Sequence, residues 1–309
     1  MTTDTVRDAA YRRIPVTPQA RVVVDNDYAG DPDGLLALAH HLLADAAVIR
    51  AITCTSIAME GMPYAAGNPA RLIAEELVRR LGVADVPVSD DVQVRFDELT
   101  GLTDGARLIL EESRREDELP LFVACGGPLT HLASALREDP TLAERMELVW
   151  IGGGAYPDGA WEYNLKLDVA AARFVFNESR ARIVQVPQHV YRQCLMSVAE
   201  LEAGLRRSGE FGSWLYDRFT SPPDFIRIGG IWPMGDSPPV LITALGTESS
   251  TFRTVDAPWI DEDGLYARHP DPRPLVVYDT VDVRLMFADF FARLDLHAAG
   301  QLTTERERS

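Results

Sequence analysis

Four carboxylates stand within nine residues of the segment DNDYAGDPDG, and they belong to Asp25, Asp27, Asp31 and Asp33. Two glycines, at positions 30 and 34, let the backbone turn tightly around these side chains. Carboxylates packed this closely repel one another unless a cation neutralises them. A hard divalent ion with oxygen ligands meets that need, and calcium tolerates the irregular geometry that a loop offers. The segment therefore predicts a metal site, with Ca2+ as the favoured ion.

Two other interpretations give these acids different tasks. An EF-hand loop beginning at Asp25 would need an acid at its twelfth position, where Leu36 stands, and a strand precedes this loop in place of a helix. That interpretation is excluded. The second makes the acids turn and cap residues, with Asp33 as the N-cap of the following helix. It accounts for one Asp more readily than for four, so the metal site is favoured.

The elements that must position this segment predict an α/β fold, with a single-domain, Rossmann-like and mostly parallel sheet flanked by helices. Predicted strands cover 21–25, 48–55, 119–125, 148–151, 182–186 and 275–278, and predicted helices cover 35–46, 68–81, 129–137, 169–176, 238–246 and 281–294. Ligands of such sheets bind beyond the carboxyl ends of the strands, where the acid segment lies. We expect one domain over 20–300, an N-terminal arm over 1–19 and a flexible tail over 301–309.

Composition limits the partners and the compartment. The chain has 309 residues, 46% of them hydrophobic, which is enough for one large core. Its net charge of -17 repels phosphate backbones, so nucleic acid is not expected as a partner. The three cysteines form no CxxC pair and are predicted to be reduced core thiols. No apolar stretch reaches the length of a membrane span, and no secretory signal is evident, so we expect a cytoplasmic protein without a membrane partner.

Three further polar segments could contribute to a site. The GGPLT turn at 126–130 could bind phosphate through free N–H groups, but it lacks the Lys of a P-loop. Glu162 and Asn164 follow a glycine run at 152–154 and offer the groups that sugar hydroxyls need, although polar loop residues would look the same. Asp236, before an apolar helix, is by default a cap or turn residue. No HExxH or GxSxG motif supports a zinc protease or a serine hydrolase.

Together these segments resemble the inosine-uridine-preferring nucleoside hydrolase family. The family's D-x-D-P-G-x-D-D segment is similar to DNDYAGDPDG, and its G-P-L-T-N turn to the GPLTH at 127–131. The family's M-G-G-G, A-E-F-N and H-D-P-L-A segments are similar to IGGG at 151–154, WEYN at 161–164 with Asp168 following, and GDSP at 235–238. The resemblance covers about residues 21–295. It implies a calcium-dependent hydrolase of the N-glycosidic bond of a ribonucleoside.

The resemblance also implies roles, carried over by motif position. Asp27 would bind calcium and act as general base for the attacking water, while Asp236 and the backbone carbonyl of Gly126 would be further ligands. One residue is inserted in the acid motif, so its closing pair becomes Asp31 and Asp33. Of these two we assign Asp33 to the metal and Asp31 to the ribose, an assignment that stays open to exchange. Glu162 and Asn164 would hold the sugar, and Asp25 would support the loop.

The chain departs from the family pattern at two places. Gly235 stands where many members have a His that helps to protonate the leaving base. The segment TCTSIAMEGM, after the second strand, lacks the family's Gly-Asn and with it a sugar-contacting amide. The proton donor and the preferred base are therefore left open. Candidate pocket residues without support from a motif are His189, Tyr191, Arg192, Tyr163 and Trp232.

Three hypotheses follow for the function. The first is a nucleoside hydrolase acting on a small-molecule nucleoside. The second is a ribosyl-binding protein on the same scaffold without catalytic turnover, suggested by the missing His. The third is an unrelated acidic α/β protein with accidental motif matches. The resemblance also implies a homodimer or homotetramer.

Overall fold

The computed structural model describes residues 16–83 and 85–301. The first strand begins at Ala20, at the predicted start of the domain. Most of the predicted arm, 1–15, and all but the first residue of the predicted tail, 302–309, lie outside the described residues.

Twelve strands are found in the described part of the chain. They are β1 (Ala20–Asn26), β2 (Ala47–Thr55), β3 (Val88–Val92), β4 (Leu121–Cys125), β5 (Glu147–Ile151), β6 (Arg182–Val186), β7 (Leu195–Ser197), β8 (Ile231–Pro233), β9 (Thr251–Asp256), β10 (Trp259–Ile260), β11 (Tyr266–Ala267) and β12 (Pro274–Thr280). Eight of them form one sheet in the order β3-β2-β1-β4-β5-β6-β12-β9, in which only β9 is antiparallel to its neighbour. The predicted mostly parallel sheet is confirmed.

Eleven helices cover the sheet or connect its strands in the same part of the chain. They are α1 (Asp33–Leu43), α2 (Pro69–Leu81), α3 (Asp104–Ser113), α4 (Thr130–Glu138), α5 (Tyr163–Leu167), α6 (Val169–Arg173), α7 (Gln188–Tyr191), α8 (Val198–Arg207), α9 (Gly209–Phe219), α10 (Pro238–Val240) and α11 (Val283–Ala298). Wider π-helical turns continue α6 over Phe174–Glu178 and α10 over Leu241–Leu245, and short 3-10 turns lie at Phe96–Glu98 and Pro140–Glu144. None of the described helices is long and apolar enough to cross a bilayer.

The central strand β1 is buried on both faces, which explains its run of valines. Val22 and Val24 pack into one core with residues of α1, α2, α9 and α11, while Val23 packs into a second core with α3 and α4. Alternate residues of a strand point to opposite faces, so one short segment joins both helical layers. This rigid centre carries the acid segment at its carboxyl end.

The predicted elements are all present, with shifted ends, and several others were not predicted. The helix predicted over 35–46 covers Asp33–Leu43, because Ala44 is already extended. Strand β3, with the sequence VSDDV, and strand β9, with TFRTVD, lie at the two edges of the sheet and expose polar residues. Edge strands of this kind lack the continuous apolar run by which central strands were identified. Helices α3, α8 and α9 were likewise not predicted.

Candidate metal centre and sugar site

Three carboxylates from distant parts of the chain meet beyond the carboxyl end of β1. Asp27, Asp31 and Asp236 each offer an oxygen within 4.8 Å of the others. Asp27 directly follows β1, Asp31 lies in the loop before α1, and Asp236 precedes α10. No Lys or Arg within 16–83 or 85–301 forms a salt bridge with any of the three. The acids that the sequence singled out are therefore brought together without a cation from the chain.

Asp33 has a different environment from its neighbour Asp31. It is the first residue of α1, and Pro32 occupies the N-cap position that the alternative interpretation gave to Asp33. Its Oδ2 accepts a hydrogen bond from the backbone N–H of Asp236 at 3.1 Å, so it fixes the position of that residue. The geometry thus groups Asp31, and not Asp33, with Asp27 and Asp236. Which of the two binds an ion stays a prediction.

The electrostatics of the group fit a divalent cation. Burial, and after it the charge of Asp33, raises the pKa of Asp27 to about 7. Burial and the neighbouring carboxylates also raise the pKa of Asp31 and of Asp236 well above their usual range. Groups in this state must either take up protons or share a positive ion. An all-oxygen donor set with this charge suits a hard ion such as calcium or magnesium.

Asn26, which the sequence analysis did not single out, orders the group from beneath. Its Nδ2 donates to Asp236 Oδ2 at 3.0 Å, and its Oδ1 accepts from the backbone N–H of Asp27 at 2.8 Å. A Cβ at Gly126 would lie 2.4 Å from that Nδ2, so only glycine allows the amide to approach here. The hydrogen bond between Asn26 and Asp236 joins residues 210 positions apart, which is why the sequence did not reveal it.

Tyr64 is the second residue that was missed. Its hydroxyl donates to Asp27 Oδ2 at 3.0 Å, and its ring meets Phe225 edge to face with centroids 6.2 Å apart. It lies in the loop between β2 and α2, two residues after the TCTSIAMEGM segment. This loop therefore supplies a phenol to the proposed general base, and no spacing rule could have indicated it.

Asp25 lies below the group, wholly buried, and faces the hydroxyls of Thr53 and Thr55 on β2 and the thiol of Cys125 on β4. Burial raises the pKa of Asp25 to about 7, although hydrogen bonds from these neighbours act in the opposite direction. It is not among the carboxylates that could share an ion. Its role in supporting the loop stays a prediction.

Glu162 is fully buried and its carboxylate is saturated by the chain itself. Oε2 accepts from the N–H groups of Gly153 at 2.8 Å and Leu165 at 2.9 Å. Oε1 accepts from the N–H of Asn164 at 3.1 Å and from the hydroxyl of Tyr191 at 2.7 Å. The residue thus caps α5 and ties it to the glycine turn after β5. A direct sugar contact through Glu162 stays a prediction.

Asn164 closes the other side of the site. Its Nδ2 donates to the carbonyls of Gly126 at 2.9 Å and Ile151 at 2.8 Å, which join the ends of β4 and β5. Both amide protons are used, and Oδ1 remains the group with which it could contact a ligand. The Gly126 carbonyl keeps a second lone pair, so this hydrogen bond leaves room for a metal ion.

The remaining motif residues have structural roles. Asp168 accepts from the Thr130 hydroxyl at 2.6 Å and from the N–H groups of Phe96 and Ala171, and so it joins the GGPLT turn to α6 as the predicted N-cap. Of the unassigned pocket candidates, Tyr191 reaches the site through Glu162, and Trp232 packs partly buried against the core. His189 and Arg192 are exposed.

Comparison with known proteins agrees with this geometry. Residues 22–237 match the family model described as inosine-uridine preferring nucleoside hydrolase. The curated relatives include inosine-uridine preferring nucleoside hydrolases from Leishmania major, at 27% identity, and Crithidia fasciculata, at 28%, each over 128 residues. These matches cover 38% of this chain and 40% and 39% of the relatives, so they span about two fifths of those proteins.

Solved structures share the fold over nearly their whole length. A plant nucleoside hydrolase aligns with a TM-score of 0.69 at 21% identity, covering 90% of this chain and 99% of the other. The inosine-uridine preferring nucleoside hydrolase from Bacillus anthracis aligns with a TM-score of 0.66 at 18% identity, covering 89% and 99%. The chain belongs to the inosine-uridine preferring nucleoside hydrolase family. The hypothesis of an unrelated acidic protein is thereby removed.

Proposed function

We propose that this protein hydrolyses the N-glycosidic bond of a ribonucleoside, giving the free base and ribose, with a calcium ion in its acid cluster. The observation that carries the proposal is the meeting of Asp27, Asp31 and Asp236 within 4.8 Å, beside the Gly126 carbonyl. Membership of the family supports the reaction class. The lack of a salt bridge to these acids from residues 16–83 and 85–301 supports the cation.

The residues that would hold the ion are Asp27, Asp31, Asp236 and the carbonyl of Gly126, with Asp33 as the alternative to Asp31. When bound, a divalent cation supplies Lewis-acid polarisation of the oxygens in the site. Asp27 takes the proton of the attacking water as general base. Asn164 and whichever acid is free of the ion orient the ribose hydroxyls, and Glu162 adds fixed negative charge near the sugar as positive charge develops on it.

The test is base release from purified protein, measured by chromatography with a panel of purine, pyrimidine and modified ribonucleosides. Each reaction is run with calcium, with magnesium and with chelator. Calcium-dependent release over many turnovers supports the proposal. Release that is unaffected by chelator would contradict the role of the ion, and the absence of release from any nucleoside would contradict the hydrolase.

A second candidate function is a ribosyl-binding protein without turnover. It is favoured by Gly235, which leaves the position before Asp236 without a side chain, and by the four hydrogen bonds that saturate Glu162. Nucleoside binding by calorimetry without any released base would favour this alternative. Multiple turnover would remove it.

Three further expectations accompany the main proposal. We propose a cytoplasmic location, which the three free and buried cysteines support. We propose a homodimer or homotetramer on the resemblance to the family alone, and sedimentation of the purified protein would test it. We also propose that neither nucleic acid nor a membrane is a partner, since the net charge of -17 opposes binding to phosphate.

A further inference from the structure

Tyr191 and Gly235 contact each other in the wall of the site. Gly235 immediately precedes Asp236, and a Cβ placed on it would lie 2.8 Å from Cδ2 and 3.4 Å from Cε2 of Tyr191. Real Cβ atoms do not approach other heavy atoms at the first of these distances. The ring of Tyr191 therefore occupies the space into which any side chain at position 235 would extend.

The ring cannot move aside freely. The Tyr191 hydroxyl donates to Glu162 at 2.7 Å, and Glu162 is itself held by three backbone N–H groups. The phenol proton thus points at a carboxylate of the protein. Burial, and then the charge of Glu162, also raises the pKa of Tyr191. At this wall the protein presents an aromatic ring whose proton is already engaged.

We propose that Tyr191 and Gly235 form a matched pair that sets leaving-group specificity, favouring N-ribosides whose base departs without taking up a proton. The substrate class would be cationic ribosides of the pyridinium type, or others with an equally stable leaving group. This inference rests on the proposed hydrolase function. It proposes that these two residues select among substrates that have the same ribose and different bases.

The chemistry balances without a proton donor. Water adds to C1′ of the ribose as the C1′–N bond breaks, and the bonding electron pair passes to the ring nitrogen. A pyridinium ring becomes a neutral pyridine in this step, and the proton of the water goes to Asp27 and then to solvent. An uncharged nucleoside would release its base as an anion unless a proton were supplied, and general acid help of that kind is worth about 10²–10⁴-fold in rate.

The charge of the site favours the same class. Asp27, Asp31 and Asp236 lie together, Glu162 is beside Tyr191, and the whole chain carries a net charge of -17. One divalent ion would not cancel this charge, so the remaining field attracts a cationic base to the site and assists its binding.

The experiment is a leaving-group series with the calcium-loaded, full-length protein. Aryl β-ribofuranosides with substituted phenols of graded acidity are compared, together with an N-ribosylpyridinium salt and inosine. We expect kcat/KM to fall steeply as the leaving-group pKa rises, by about 10²–10⁴-fold across the series, since no proton is donated. A nearly flat dependence, or inosine turned over as fast as the pyridinium salt, would overturn the proposal while leaving the hydrolase intact. If none of these ribosides is hydrolysed, this proposal fails, and the panel of purine, pyrimidine and modified ribonucleosides decides separately whether the hydrolase fails too.

Two sets of variants test the pair itself. Tyr191→Phe keeps the ring and removes the hydroxyl, so the steep leaving-group dependence should persist; a loss confined to poor leaving groups would identify Tyr191 as a proton donor and contradict the proposal. The matched control is Tyr216→Phe, which removes another phenol–carboxylate contact, to Glu202 on the α8–α9 pair.

The steric contact between Tyr191 and position 235 is tested by measuring the thermal stability of variants. Gly235→Ala should lower Tm by a few degrees, because the new methyl group displaces the Tyr191 ring. In a Tyr191→Ala background the same substitution should cost much less. An equal effect in both backgrounds would show that the two positions are independent.

Discussion

The two ends of strand β1 both carry buried charges, and they differ in how those charges are balanced. At the amino end, Arg21 forms a salt bridge with Glu112 at 2.6 Å and donates to the Leu119 carbonyl at 3.0 Å, and Arg50 reaches the same Glu112 at 3.2 Å. At the carboxyl end, Asp27 and its partners lie within 4.8 Å of one another without a salt bridge from the described chain. The charges at the first end are paired within the protein, whereas those at the second are left to protons or to the cation that we propose.

This difference separates a structural ion pair from a candidate site. Both regions perturb or bury ionisable groups, so burial alone would not distinguish them. The sign of the neighbouring charges does distinguish them, because opposite charges stabilise the fold and like charges oppose it. In a parallel sheet the carboxyl end is also where ligands bind.

The largest effect is expected from Asp27→Asn at the carboxyl end. Loss of the proposed general base and ion ligand should lower kcat/KM by on the order of 10³-fold. The Tm in chelator should not fall, because the substitution removes one of the repelling charges. Base-release assays measure the loss of kcat/KM, and thermal melts in chelator measure the Tm. A variant with near-normal activity would remove Asp27 from the mechanism.

Glu112→Gln, at the amino end, should have the opposite pattern. Loss of the Glu112 charge leaves Arg21 with only the longer contact to Asp117, at 3.8 Å, and should cost on the order of 3 kcal/mol of unfolding free energy. Turnover of the folded protein at low temperature should stay the same, because Glu112, on α3, contacts the amino end of β1 and the acids lie at the carboxyl end. Denaturant titration measures the loss, with the exposed neighbour Glu111→Gln as the control. Equal stability of both variants would show that the amino end is not held by this pair.

The metal-free protein should lose stability as pH rises through the range in which the carboxyl groups of the acid cluster lose their protons. The folded pKa of Asp27, about 7, lies above its usual value of 3.8, so protons bind more tightly to the folded state in this window. The charged form opposes folding, and stability falls between about pH 4 and pH 7. Saturating calcium should offset this loss, by about 2.7 kcal/mol at a hundred times its Kd.

Buried histidines act in the reverse direction in the same pH range. Burial lowers the pKa of His41 to about 3 and of His131 to about 4, so these groups add stability as pH rises towards about 6.5. The difference in Tm between calcium and chelator, measured at pH 5 and pH 8, separates the contribution of the acid cluster from that of the histidines. A difference in Tm that does not grow between pH 5 and pH 8 would contradict the proposed ion site.

The smallest effect is expected from a comparison of Asp31 with Asp33, both near the carboxyl end of β1. If Asp31 binds the ion and Asp33 orients Asp236, Asp31→Asn should weaken calcium binding by about tenfold more than Asp33→Asn. Isothermal titration with calcium measures both, and the two variants control for each other because each removes one charge. The reverse order would support the assignment of Asp33 to the metal.

Local patterns accounted for the centre of the fold and the presence of a site. The fold class followed from the valines of β1 and from the alternation of strands with helices. The metal hypothesis followed from the four acids within nine residues at the carboxyl end of β1. The edge strands β3 and β9 were missed because they are polar and partly exposed. The choice between Asp31 and Asp33 as the ion ligand was left open by the sequence, because the inserted residue shifts the register of the loop, and it stays a prediction.

The sequence by itself determined that acids would lie close together where the first buried strand ends, because residues so near in sequence must also be near in space. Only the tertiary structure decided what surrounds them: Asn26 beneath Asp236, Tyr64 on Asp27, and Tyr191 against Gly235. These contacts join residues separated by 37 to 210 positions, and they depend on the path of the chain between strand ends. Spacing along the sequence carries no record of such approaches, because they arise from packing and not from local conformational preference.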